Sequence, residues 1–129
     1  MAITVDTSVF LSIFYDERSR RWSENILLQK DKKISTITIA EVLASVYKKS
    51  PRLAMIAKSL VEQAIMPENI IAVTSEIAEV AGKMKSKYSP NFSMADSIIL
   101  ATAILTGCDR VATLDPEFGQ VAELKVLRH

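Results

Sequence analysis

The chain has 129 residues, 49% apolar and 24% charged, enough for one compact domain and too few for two. Sixteen Lys and Arg residues against fifteen Asp and Glu leave a formal charge of +1, so net charge alone favours neither a nucleic-acid binder nor an acidic tail. Cys108 is the single cysteine, which excludes an internal disulfide and reads as core filler.

In chain order, Ala2 to Val5 is β-rich and ends at Asp6-Thr7-Ser8, after which Val9, Phe10, Ile13 and Phe14 recur at helical spacing. A strand therefore runs straight into a helix. Arg18 to Gln29 has helical periodicity with Trp22, Ile26 and Leu27 on one side, and Lys33 to Ile37 reads as a strand. Thr38 and Glu41 have the form of a capping box that opens a helix through Tyr47. Pro51 suits the first turn of a further helix, whose Leu53, Ile56, Ala57, Leu60, Val61 and Ala64 are expected to face inward.

Ile70 to Val73 is a short apolar strand, Ser75 to Lys87 is helical by pattern, and Tyr88 to Phe92 is a loop around Pro90. Ser93 and Asp96 form a second capping pair before an apolar helix that closes at Gly107. Arg110 to Thr113 and Leu124 to Leu127 complete the strands. Strands alternating with helices predict a single α/β domain over 1–129, a three-layer sandwich around a mostly parallel sheet of about five strands. The apolar opening is broken by Asp6 and Ile98 to Leu105 is too short to span a bilayer. A cytoplasmic protein with no membrane contact is expected.

In parallel sheets ligands bind beyond the carboxyl ends of the strands. Asp6, Glu41, Asp96 and Asp115 all fall just after a strand or in an early helical turn by this reading. Together they offer hard oxygen donors of the kind Mg²⁺ or Mn²⁺ takes. Taken singly, Glu41 and Asp96 read equally as caps, and Asp6 and Asp115 as turn formers. One thiol and one imidazole, His129, do not make a zinc site or a nucleophile–His pair. With four acids set aside, sixteen cations face eleven acids on the remaining surface. Basic clusters at Arg18, Arg20 and Arg21, at Lys30, Lys32 and Lys33, at Lys48, Lys49 and Arg52, and at Lys83, Lys85 and Lys87 suit phosphate contact or solvated helix faces equally.

Three motifs together resemble the PIN-domain family, especially its VapC-type toxin endoribonucleases. They are Ile3-Thr4-Val5-Asp6-Thr7-Ser8-Val9-Phe10, Thr38-Ile39-Ala40-Glu41-Val42, and the ordered pair Asp96 to Ala103 and Thr113-Leu114-Asp115-Pro116-Glu117-Phe118. The likeness runs from Ile3 to Leu127, although 50–87 matches in pattern alone. It implies that Asp6, Glu41, Asp96 and Asp115 bind Mg²⁺ or Mn²⁺ and hydrolyse RNA. Thr7, Ser8 and Thr113 become supporting hydroxyls, and Glu117 an accessory acid. It further implies a small VapB-like antitoxin and a homodimer, with Phe10, Phe14, Trp22 and Ile26 near an apolar groove. Trp22 and Tyr88 are candidates for stacking on bases. Other readings are a PIN-domain RNA-processing nuclease that is not a toxin, a catalytically silent binding module, and a two-component receiver domain. The last lacks its acid pair, since Thr7 follows Asp6.

Overall fold

The computed structural model describes residues 2–129. Strand β1 (Ile3–Val5) leads through Asp6 into α1 (Thr7–Phe14), followed by α2 (Arg20–Leu27) and β2 (Lys32–Ser35). Helices α3 (Thr36–Tyr47) and α4 (Pro51–Ala64) precede β3 (Ile70–Ile71). Helices α5 (Ser75–Lys87) and α6 (Met94–Leu105) follow, then β4 (Arg110–Ala112), a 3₁₀ turn (Pro116–Gln120) and β5 (Lys125–Leu127). All four strand pairings are parallel and the order is β3-β2-β1-β4-β5. That order is not the 2-1-3-4-5 of a receiver domain, so the structure sets that reading aside.

Strand alternation sorts the core into two layers. Ile3, Val5, Ile34 and Ala112 pack with α1 to α4, while Val111 and Val126 pack with Met84, Phe92, Ile99 and Leu100. The strand order reverses between β1 and β4, the place where such folds leave a crevice at their carboxyl edge. Asp6 and Asp115 sit at the mouth of that crevice.

Two sequence expectations need correction. β2 ends at Ser35, whose hydroxyl accepts from the Ile37 N–H at 3.1 Å and caps α3. Thr38 and Glu41 are therefore inside the helix and form no capping box. Pairing of Ser35 with Ile71 stops the strand two residues earlier than its apolar run suggests. In α4 the buried stripe is Ala54, Ala57 and Val61, whereas Leu53, Ile56 and Leu60 are 40%, 45% and 49% exposed. Small side chains let α4 lie close against α3, and the larger ones are turned out along its flank. The Ser93–Asp96 capping box of α6 is present as expected, and Cys108 is buried, accepting from the Thr4 hydroxyl. Among the described residues no helix is long and apolar enough to cross a membrane.

Candidate active site

Each of the four acids is placed by the element it follows or caps. Asp6 caps α1 and is 3% exposed. Its Oδ2 accepts from the hydroxyls of Ser8 at 2.6 Å and Thr113 at 2.8 Å, and from the Ser8 N–H at 3.4 Å. The same two hydroxyls reach across the crevice. Ser8 Oγ accepts from the Leu114 N–H and Thr113 Oγ1 from the Asp115 N–H, both at 2.9 Å. The end of β1 and the loop after β4 are thereby fixed to each other.

Glu41 enters from the second turn of α3, and its Oε1 accepts from the Thr7 hydroxyl at 2.6 Å. Thr7 also lies 3.2 Å from the buried hydroxyl of Thr38. Asp96, 8% exposed, exchanges capping bonds with Ser93, its Oδ2 accepting from the Ser93 N–H at 3.4 Å. Asp115 caps the 3₁₀ turn by accepting from the Glu117 N–H at 2.9 Å on Oδ1. The capping and turn roles are thus real for Asp6, Asp96 and Asp115, and they aim the carboxylates into the crevice.

Burial pushes the Asp6 carboxyl above its ordinary value, despite the hydroxyls of Ser8 and Thr113, and the charge of Asp115 adds to the rise. Glu41 is raised by burial and then by the charges of Asp6 and Asp115, against the Thr7 hydroxyl. Asp96 is pushed up to about 8 by burial, by a hydrogen bond with Asp115, and by the charges of Asp6 and Asp115. The four acids therefore act on one another electrostatically. Ion pairs among the described residues are Arg20 with Asp16 and Glu24, Lys58 with Glu62, Lys87 with Glu123, and Arg110 with Asp109. None neutralises the cluster.

Asp6 Oδ1 and Glu41 Oε2 take no hydrogen bond from a described residue, and no buried side-chain oxygen is stranded without a partner. In Asp6 and Glu41, then, one oxygen is anchored and the other is free of donors from the described residues. Among the described residues no three acidic, histidine or cysteine side chains already converge into a ligand set. Glu117 is occupied elsewhere, its carboxylate accepting from Ser89 and Gln120 at 3.3 Å. Tyr88 is tied down as well. Its hydroxyl donates to Glu123 and accepts from the Ala122 N–H, and its ring packs on Phe92. Trp22 is partly buried against the α1–α4 core. Sequence reading missed Ser35 and gave its capping role to Thr38, since a hydroxyl next to several others gives no signal of which one the backbone will use.

The sequence model of the PIN domain matches residues 3–124. No curated protein sequence matches the chain. Among solved structures, the chain is similar to VapBC2 from Rickettsia felis bound to a promoter DNA fragment, with TM-score 0.77, 18% identity, and 100% and 99% of the two chains covered. It is similar to a VapC toxin of Mycobacterium tuberculosis described as cleaving the sarcin-ricin loop, with TM-score 0.76, 16% identity, and 96% and 99% covered. A third similar structure is FitAcB from Neisseria gonorrhoeae, with TM-score 0.70, 25% identity, and 97% and 96% covered. A match over nearly the full length, on a chain whose fold brings the acids of three separate motifs to one sheet edge, settles the family: this chain belongs to the PIN domain family.

Proposed function

We propose that the chain is a metal-dependent endoribonuclease, the toxin of a small toxin–antitoxin pair, acting in the cytoplasm as a homodimer. The observation that carries the reading is the set of four mutually repelling carboxylates without a cationic partner among the described residues, each anchored by a donor from its own or a neighbouring element. Burying like charges is unfavourable unless a cation or protons offset them. The donor set is oxygen only and fits Mg²⁺ or Mn²⁺ better than zinc.

Asp6, Asp96 and Asp115, with Glu41, would hold the ion. When bound, a divalent ion lowers the pKa of coordinated water and offsets charge on the phosphate. The chain supplies the rest. Thr7 fixes one oxygen of Glu41 and leaves the other available to accept a proton from an attacking water. Ser8 and Thr113 hold Asp6 and the Asp115 loop in register, so the acids keep their places as substrate charge arrives. As water adds to phosphorus one of its protons passes to Glu41, the bond from phosphorus to the 3′-oxygen breaks, and that oxygen takes a proton from solvent, leaving a 3′-hydroxyl and a 5′-phosphate.

Support for a protein partner comes from a groove of about 440 Å³ between α1, α2 and α4. Phe10, Phe14, Leu27, Leu28 and Leu60 line it, with Glu24 and Gln63 as polar lining residues. An apolar trough of that kind suits an amphipathic helix, and the relatives described above include complexes with antitoxins. Of the four side chains expected there, Phe10 and Phe14 line the groove, while Ile26 is core and Trp22 lies apart from it. The test is cleavage of a looped RNA by the purified chain, free of partner, with Mg²⁺ or Mn²⁺. Cleavage that vanishes in EDTA is expected, and cleavage at the same site that survives EDTA overturns the reading.

A further inference from the structure

A second cavity, of about 560 Å³, is lined by Leu114, Pro116, Val126, Arg128 and His129. Leu114 and Pro116 flank Asp115 in the sequence, so this cavity adjoins the proposed nuclease centre. Parallel pairing explains why the basic residues are there. Leu127 is in register with Ala112, which is in register with Val5. Arg128 therefore leaves β5 at the same edge where Asp6 leaves β1, two strand spacings or roughly 10 Å to the side.

Arg128 is not held by the protein's own charges. It is exposed, and no described residue pairs with it or hydrogen-bonds to it. Its guanidinium instead rests on Gly119, where a Cβ would come within 2.9 Å of Nη1. The missing side chain at Gly119 makes room for the arginine beside the Asp115 loop. The His129 ring meets the Trp22 ring edge-on at 6.0 Å, with 64° between planes. A cation without a counter-ion among the described residues, and the histidine of an aromatic pair, thus line a cavity beside the Asp115 loop. Lys30 and Lys32 line one at the opposite edge, where β2 begins.

Resting on the nuclease reading above, we propose that Arg128, with His129 and Trp22, forms a subsite for the RNA strand next to the scissile bond. Arg128 takes a neighbouring phosphodiester, for which its planar fork of donors is suited. The His129–Trp22 pair offers a face on which a base stacks. Four acids repel an RNA backbone, and a fixed cation two strands away offsets that repulsion on one side and sets the direction in which the strand leaves.

Binding of a labelled single-stranded oligoribonucleotide to the full chain in EDTA, followed by anisotropy across about 50 to 200 mM salt, tests this. Arg128→Gln is expected to bind several-fold more weakly and to lower the slope of log affinity against log salt by about 0.7, the value for one phosphate contact on a single strand. Arg128→Lys should keep the slope. Lys30→Gln removes the same charge at the far edge and should change neither quantity. An unchanged slope in Arg128→Gln, an equal loss in Lys30→Gln, or no RNA binding by the parent overturns the subsite. Failure of the nuclease reading is separate, because it shows as absent cleavage in Mg²⁺ while the difference between Arg128→Gln and the parent persists.

Discussion

At the scale of single residues, Asp96 joins two roles that sequence reading held apart. It closes the capping box of α6 and lies against Asp115 with its carboxyl pushed up to about 8. An unfolded chain releases that proton in the ordinary carboxylate range, so between there and about pH 8 the folded state binds more protons. Stability of the metal-free protein must then fall as pH rises across this window. Asp96→Asn removes the charge yet keeps a cap oxygen and a donor for Asp115. At pH 8 in EDTA the variant is expected to melt above the parent by more than about 1 kcal/mol, from the size of a single pKa unit. Its melting point should fall less steeply with pH than the parent's, the remaining slope coming from Asp6 and Glu41. With Mg²⁺ it should cleave at least about a hundredfold more slowly, the scale of losing one charge-stabilising group. Thermal melts from pH 5 to 8 and one cleavage assay decide the point, and a variant that melts lower at pH 8 while cleaving normally returns Asp96 to capping alone.

At the scale of elements, the contrast between Ser35 and Glu41 shows what the sequence carried and what it did not. Periodicity identified each of the five strands and six helices among the described residues, though not every boundary, and the Ser93–Asp96 box and the Gly107 stop were legible because capping is a local signal. The start of α3 was not. Ser35, Thr36 and Thr38 are all hydroxyl residues near a strand end, and the strand's true length is set by its pairing with β3, a contact far away in sequence. Ser35→Ala is therefore expected to cost about 1 kcal/mol through loss of the cap. Glu41→Gln, which removes a charge raised by burial and by Asp6 and Asp115, should melt no lower than the parent and lose most cleavage. Chemical denaturation of the two variants measures this, and a destabilised Glu41→Gln beside a neutral Ser35→Ala would restore the cap to Glu41.

At the scale of the whole molecule, the four candidate acids could be singled out because Asp6 and Asp115 come shortly after strands and Asp96 and Glu41 fall in the first two turns of their helices, and parallel strands bring such positions to one edge whatever lies between them. The partner groove was legible only in part. Helical periodicity marks Leu53, Ile56 and Leu60 as apolar but cannot tell a face buried in the domain from one kept for another chain. The structure separates them, because Ala54, Ala57 and Val61 occupy the inner stripe and leave Leu60 on the groove wall. An exposed apolar wall of this kind marks an interaction site. A charge placed at Leu60 should then be tolerated by the fold and refused by a partner helix. For Leu60→Glu a stability change within about 0.5 kcal/mol is expected, as for surface substitutions. Cleavage should be unaltered, because Leu60 lies on α4 and none of the four acids does. Inhibition by an antitoxin partner should weaken at least about tenfold, corresponding to about 1.4 kcal/mol for a carboxylate forced against an apolar helix face. Ala57→Glu is the matching control, and its buried charge should unfold the protein. Full inhibition of Leu60→Glu at the parent's antitoxin concentration would move the partner off this groove.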